Sequence, residues 1–310
     1  MILEPPASLG KMHLAQEDGG MPTTLAAGSA PGESGVSVFR ARFEGGVHFA
    51  SAARQHQICF QMSPPSRIER RLAGQSLRHQ SPAGLLSICP AGTNCAADSE
   101  DTFDSVLVAI DPGQLALAAA EETAFEARLT GCLSGYDQAL LDLARALVSE
   151  STGSYPNGPL FWNDVADRFI GGLIARHSQE PNIRVRGTLG KHVLARLKEY
   201  VTAHLDEPIE VTALANIAGR SPFHFTRVFA RSVGVTPHRY VVHLRLQRAI
   251  ELLRAGRSGL AEIAATTGFA DQSHLSRWVR RVHGVTLTEL SAARADENSR
   301  NLHDGSLSPP

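Results

Sequence analysis

The sequence predicts an α+β chain: an antiparallel β-barrel or sandwich with flanking helices, followed by an all-α region with two helix-turn-helix units. Three observations predict it. Between about residues 36 and 110, short apolar runs alternate with period two and are separated by turn residues. After Asp111-Pro112 the apolar period becomes helical. Near the C-terminus, Ser221-Pro222-Phe223-His224-Phe225-Thr226-Arg227 is matched fifty residues later by Asp271-Gln272-Ser273-His274-Leu275-Ser276-Arg277.

Residues 1–34 are rich in Gly, Pro, Ala and Ser without apolar periodicity, and are expected to form a disordered arm. Strands are expected at 39–43, 56–62, 68–72, 85–88 and 106–110. The turns between them are marked by Glu44-Gly45-Gly46, Ser63-Pro64-Pro65, Ser81-Pro82-Ala83-Gly84 and Pro90-Ala91-Gly92. Tyr136, Leu140, Leu141, Leu143, Ala144, Leu147 and Val148 make one helical apolar face. A second helix is expected over 160–176, with Phe161, Val165, Phe169, Ile170, Leu173 and Ile174 on its apolar side and Gly171-Gly172 weakening its end. Residues 35–180 thus read as one domain with a helical tail, and 178–187 as a linker.

From 188 to 295 the chain reads as a second, helical domain, with 296–310 a disordered tail. Helices are expected near 190–204, 211–218, 221–232, 237–255, 260–267, 272–283 and 287–294. Ser221-Pro222 and Thr236-Pro237 mark helix starts, and Gly219, Gly234, Gly256, Gly268 and Gly284 mark turns or stops. The repeat makes each pair 211–218/221–232 and 260–267/272–283 a helix-turn-helix. The common use of that unit is to place its second helix in the major groove of DNA.

On a wheel of 100° per residue, Phe225, Val228 and Phe229 share one side of the first recognition helix, with Phe223, Thr226, Arg227 and Ala230 opposite. In the second, Leu275, Trp278, Val279 and Val282 share the buried side, and Ser273, Ser276, Arg277 and Arg280 face away. Each outward face carries a hydroxyl and an arginine at the same register. Arginine can donate two bonds to guanine, a hydroxyl can bond a base or phosphate, and an apolar residue such as Phe223 can meet a thymine methyl. The bland alternatives are an ion pair or phosphate contact for the arginines, and a place under a loop for Phe223. His224 and His274 recur in the repeat and are expected to pack, cap the turn or touch a phosphate. The intervening nineteen-residue helix spans roughly 28 Å, close to the ~34 Å between successive major grooves on one face of DNA.

Charge agrees with a polyanion partner. The whole chain is −1, but residues 1–183 are net −8 and residues 184–295 net +9. Lys191, Lys198, Arg231, Arg280 and Arg281 are the candidate phosphate contacts. No signal peptide or membrane-spanning run is read from the sequence, and none of Cys59, Cys89, Cys95 and Cys132 forms a Cys-x-x-Cys pair. A reduced, cytoplasmic setting is the expectation.

Residues 191–290 resemble the DNA-binding domain of the AraC/XylS family of bacterial transcription regulators. The likeness rests on Leu214-Ala215, on Ala218-Gly219-Arg220 leading into Ser221 to Phe229, and on Gly234-Val235-Thr236-Pro237-His238-Arg239-Tyr240. It continues with Ile263-Ala264 and Gly268-Phe269-Ala270 leading into Asp271 to Arg277. The resemblance implies binding to double-stranded promoter DNA and contact with RNA polymerase. It places base contacts on Phe223, Thr226 and Arg227, and on Gln272, Ser273, Ser276 and Arg277. Gln272 is the exception to the wheel, which puts it at the edge. The second copy departs from the pattern: Val279 stands where a Phe is usual, with Trp278 beside it, and Thr286-Leu287 and Leu290 replace Thr-Pro and Tyr.

Ser81 to Thr93 looks like a turn-strand-turn of the cupin-type sensor domains of that family, which implies a small-molecule effector or dimerisation. No catalytic residue, metal or cofactor is expected. A cupin enzyme would want a His-x-His pair followed by Glu and a later His, and His48, His56 and His79 lack that spacing. A DNA-repair alkyl acceptor would want a metal-binding Cys cluster, which the sequence lacks. A thiol-based redox sensor is the alternative reading. Cys89 and Cys95 flank a turn for it, but the nearby 98–104 stretch is acidic, whereas a low-pKa thiol wants a basic neighbour.

Overall fold

The computed structural model describes residues 23–33, 35–43, 47–52, 54–63, 66–121, 128–152, 155–179, 187–256 and 258–290. Two compact units divide the chain, one holding most of the residues up to Arg184, the other Val185 onward together with Pro31–Glu33.

The first unit is built on two antiparallel sheets. One has the order β1 (Thr23–Ser29), β2 (Val36–Phe43), β9 (Phe103–Ile110), β4 (His56–Gln61), β7 (Leu85–Cys89), β11 (Cys132–Tyr136). The other runs β3 (Val47–Ala52), β8 (Asn94–Ser99), β5 (Ser66–Leu72), β6 (Gln75–Ser81). A short pair, β10 (Arg128–Leu129) and β12 (Ser178–Gln179), stands apart. Helices α1 (Pro112–Glu121), α2 (Gln138–Thr152) and α3 (Gly158–His177) complete the unit.

All eight residues of β9 are buried. A strand with cover on both faces loses the polar half of its alternation. Val106, Val108 and Ile110 join Ile58 and Phe60 of β4 in a core with Leu140, Leu147, Trp162 and Phe169 of α2 and α3. The opposite parity, Phe103, Leu107 and Ala109, clusters with Phe39 and Phe43 of β2 and with Ile68 of the second sheet. Fully burying side chains of this size contributes roughly 1.5–3 kcal/mol each, so these two layers hold the sheet between helices and second sheet.

Several expectations are corrected. Residues 23–29 are a strand paired with β2, not part of a disordered arm. As the outermost strand of its sheet, β1 needs little apolar signal. The second sheet's edge strand β6 is polar for the same reason, and is joined to β5 by Ala73 (φ 49°) and Gly74 (φ 83°), a two-residue turn. Tyr136, read as part of a helical face, lies on β11 and is 66% exposed. Phe161 is 40% exposed on α3, off the buried stripe that its neighbour Trp162 begins. Cys89 and Cys95, expected to flank a turn, are disulfide-bonded across the turn between β7 and β8 with Cα atoms 6.5 Å apart. The expected tail 296–310 and most of the 178–187 linker and the 1–34 arm lie outside the described residues.

Helices α2 and α3 are tied by one carboxylate. Asp137 accepts from the Leu140 amide at 3.0 Å, from Arg176 Nε at 2.8 Å, and lies 2.8 Å from His177 Nε2. Burial works to raise its pKa, but Arg176, the Leu140 amide and His177 together outweigh it and hold it at about 2. A depressed carboxylate pKa adds stability that is complete above the unfolded value near ~3.9 and is lost as pH falls toward the folded one. Asp137→Asn should therefore lower stability by about 2 kcal/mol at pH 7, with the gap to wild type closing between about pH 4 and pH 2. Urea unfolding followed by Trp162 fluorescence in a Trp278→Phe background reads this. A gap that is constant with pH would remove the charge from the explanation.

Candidate nucleic-acid interface

The second unit comprises α4 (Lys191–Ala203), α5 (Val211–Ile217), α6 (Pro222–Val233), α7 (Pro237–Ala255), α8 (Leu260–Thr266) and α9 (Gln272–His283), with residues 287–290 starting a last helical turn. The pairs α5–α6 and α8–α9 are the two helix-turn-helix units. Their ends follow local chemistry. Pro222 and Pro237 sit in the first turns of α6 and α7. The Thr236 hydroxyl accepts from the Arg239 amide at 3.3 Å, and Asp271 accepts from the His274 amide at 2.6 Å. Ser221 occupies the cap position of α6 but makes no side-chain cap bond. Gly234, Gly256 and Gly284 close α6, α7 and α9 in the left-handed conformation.

Helix α6 buries Phe225, Val228, Phe229 and Val233. Phe225 lies 5.4 Å from Phe229, and Phe229 lies 5.5 Å from Tyr240 of α7. This rotation leaves Phe223 76% exposed, Arg227 exposed and Thr226 half-buried. The Thr226 hydroxyl donates to the Pro222 carbonyl at 3.0 Å, so what it keeps to offer is an acceptor. In α9 Leu275 and Val279 are buried, Gln272, Ser273, Arg277 and Arg280 are exposed, and Ser276 is half-buried. The structure therefore brings Phe223, Thr226 and Arg227 to one face of α6, and Gln272, Ser273, Ser276 and Arg277 to the matching face of α9.

Lys191, Arg231 and Arg281 are exposed and Lys198 half-buried. Lys191 and Lys198 lie on α4, Arg231 in the last turn of α6, and Arg280 and Arg281 in the last turn of α9. Arg281 is engaged: its guanidinium lies 5.2 Å from the Trp278 ring centre, and Nε is 3.0 Å from the Glu33 carboxylate. Both partners of that ion pair are more than half exposed, so it competes only weakly with a phosphate.

The second copy differs where the sequence departs from the repeat. Trp278 and Val282, expected on the buried side, are half-buried. Trp278 Nε1 donates to His274 Nε2 at 3.0 Å, and His274 packs edge-on against Phe269 with ring centres 5.5 Å apart. His274 is thus a packing residue, whereas His224 is exposed. The proline missing after Thr286 is compensated by a reciprocal cap. Glu289 accepts from the Thr286 amide at 2.6 Å and from its hydroxyl at 2.9 Å, while the Glu289 amide donates back to Thr286 Oγ1 at 3.2 Å. Those bonds from Thr286 hold the Glu289 carboxyl below its usual range.

One residue escaped the sequence reading. Arg245 of α7 donates from Nε to the Leu205 carbonyl at 3.0 Å and from Nη2 to the Glu207 carbonyl at 2.7 Å. It thereby ties the loop after α4 to α7. Gly268, in the turn of the second unit, lies against the same assembly. A Cβ there would stand 2.0 Å from the Leu205 carbonyl oxygen and 2.6 Å from Arg245 Cζ. The equivalent Gly219 has open space around it. An arginine at mid-helix carries no local signal for such a role.

The geometry defines a tandem helix-turn-helix module with two polar, arginine-bearing recognition faces. Residues 214–293 match a helix-turn-helix domain family. The probable transcriptional regulator LumQ of Photobacterium leiognathi is 33% identical over 92 residues, covering 30% of this chain and 37% of its own. The helix-turn-helix transcriptional regulator GlxA of Rhizobium meliloti is 30% identical over 153 residues, covering 47% and 44%. A solved transcriptional regulator from Chromobacterium violaceum with an AraC-type DNA-binding domain is 28% identical, covering 34% of this chain and 94% of its own, with a TM-score of 0.32. This chain spans less than half the length of the curated relatives it matches. Residues 214–293 thus form a helix-turn-helix domain similar to those of these transcription regulators.

The two turn glycines should respond unequally to alanine. Both have positive φ, 62° for Gly219 and 73° for Gly268. Gly219→Ala should cost about 1–2 kcal/mol, the penalty for a side chain in that conformation. Gly268→Ala adds a backbone clash and should cost more than about 3 kcal/mol. Thermal unfolding of the two variants checks the order. Equal losses would mean that the Arg245–Leu205 assembly yields freely.

Proposed function

We propose that this chain regulates transcription by binding promoter DNA with α6 and α9 in successive major grooves. The carrying observation is the pair of outward faces with a hydroxyl and an arginine at the same register, each fixed by a buried apolar stripe. Arg227 and Arg277 read guanines, Thr226, Gln272, Ser273 and Ser276 take polar base edges, and Phe223 meets a thymine methyl. Lys191, Lys198, Arg231, Arg280 and Arg281 hold the phosphates. The nineteen-residue α7 sets the spacing. Contact with RNA polymerase, an activator role, a cytoplasmic site of action and dimerisation belong to this reading through the family. Among the described residues no helix is long and apolar enough to cross a membrane, and no cluster of His, Cys, Asp and Glu suits a metal.

A small effector acting through the first unit completes the reading, because its two sheets enclose a cavity. The second reading is control by thiol oxidation. The Cys89–Cys95 disulfide favours it, since such bonds in a reducing compartment are often redox-sensing. A variant lacking both cysteines that still responds to the inducing condition in a reporter strain would exclude it.

Selection of bound sequences from a random DNA pool identifies the site. On that site Arg227→Ala should weaken binding by about 1–3 kcal/mol and relax one base position. Equal loss on selected and random DNA would assign Arg227 to a phosphate instead. Binding should fall steeply with salt, and Arg280→Ala should lower the log–log salt slope by about 1. An unchanged slope would take Arg280 out of the phosphate set.

A further inference from the structure

The cavity of the first unit has a volume of about 100 Å³ and lies between the two sheets. Its walls are largely apolar: Phe43 and Phe103, stacked with ring centres 4.9 Å apart, together with Ile68 and Leu107. Two arginines line it, of which Arg71 is ion-paired with Glu69 and Asp98. Arg70, on β5, is 6% exposed and lines the cavity.

The partners of Arg70 are all neutral. Nη1 lies 3.1 Å from His79 Nε2 and donates to Ser81 Oγ at 3.2 Å, and Nη2 donates to Gln61 Oε1 at a long 3.4 Å. No carboxylate pairs with it among the described residues, while the adjacent Arg71 is committed to Glu69 and Asp98. Arginine carries five N–H donors in a planar fork. The bonds above use one face of that fork, leaving Nε–H and one Nη2–H, the edge that grips a carboxylate bidentately. Burial pushes the guanidinium below its ordinary pKa range, and the Cys59 sulfur opposes this to a smaller degree. It nevertheless keeps its charge, since arginine does not deprotonate in proteins. Nearby, the Ser105 hydroxyl is buried on the cavity wall without a sound hydrogen-bond partner.

A buried charge with no counter-charge costs several kcal/mol, of order the penalty for one desolvated ion. Such a group persists where an anion arrives to neutralise it. One guanidinium matches one negative charge, so a monoanion fits better than a phosphate dianion. The apolar walls call for a carbon body, and the volume limits it: an engineered cavity of about 150 Å³ takes benzene, so this one suits a short chain.

We infer that the cavity binds a small monocarboxylate with a short apolar body, its carboxylate held by Arg70 and its carbons by Phe43, Phe103, Ile68 and Leu107. This rests on the reading of the first unit as an effector domain and names the class of effector. Ser105 supplies a further donor to the same carboxylate.

Calorimetric titration of the full-length protein with butyrate and hexanoate, against butyramide and hexanamide, tests it. The carboxylates should bind at least tenfold more tightly than their amides. Arg70→Met should abolish that preference while melting no lower than the unliganded wild type, because it removes an uncompensated charge. Arg70→Lys should keep the preference at reduced affinity. Ser105→Val, which removes an unsatisfied hydroxyl and narrows the space, should fold and weaken both carboxylates. Should Arg70→Met fail to fold, Arg70→Lys and Ser105→Val decide, and unchanged binding in both overturns the inference. Amides binding as well as acids would overturn the anion assignment and leave an effector cavity standing. Binding of neither would overturn the monocarboxylate assignment, and the DNA-binding reading is tested separately by the selected site.

Discussion

The rotation of α6 about its own axis is the constraint on which the chemistry of its outward face depends. Phe225, Val228 and Phe229 can be buried only if that face meets α5 and α7, and Phe229 against Tyr240 fixes it. Once the stripe is sealed, Phe223 and Arg227 have no choice but solvent. The energetic weight lies entirely on the buried side, where each aromatic contributes roughly 1.5–3 kcal/mol. The outward side is therefore free to be chosen for what it binds. An exposed phenylalanine, which does nothing for a monomer's stability, is consistent with that freedom.

The two copies reach the same geometry by different means. The first uses Pro237 after Thr236 and a buried Tyr240. The second has neither, and replaces them with the Thr286–Glu289 reciprocal cap and the Trp278–His274 contact. Its turn is also tighter in space, because Gly268 abuts the carbonyl that Arg245 holds. The unequal copies are thus equal in outcome at the recognition face and unequal in what supports it. Substitutions behind α9 will act through different neighbours from those behind α6.

In the first unit the corresponding constraint is the double burial of β9. One parity of its side chains serves the helix layer and the other serves the space between the sheets. The helix-facing parity is aliphatic at Val106, Val108 and Ile110, with Asp104 at its start paired to Arg42. The other parity carries Ser105 among Phe103, Leu107 and Ala109, and faces a strand that bears Arg70. Ser105 and Arg70 thus place polar groups on the side with empty volume, as in a binding cavity lined by apolar walls and a few polar groups.

Much of this protein was legible in its sequence. The strands with strong alternation, the helices between capping residues and glycines, and the outward face of α6 all follow from local periodicity, because a buried stripe must repeat at the period of its element. Local pattern did not reach β1, β3, β6 or β8, and in the edge strands β1 and β6 the polar content leaves no periodic signal. The sequence also held no sign that Tyr136 would fall on a strand, or that Cys89 and Cys95 would be joined. Only the tertiary structure decided the roles of Arg70 and Arg245. An arginine in a strand or helix has its chemistry set by what other segments bring to it: an apolar cavity without a carboxylate, or two loop carbonyls. Those neighbours are set by packing between distant elements, and no window of sequence contains them.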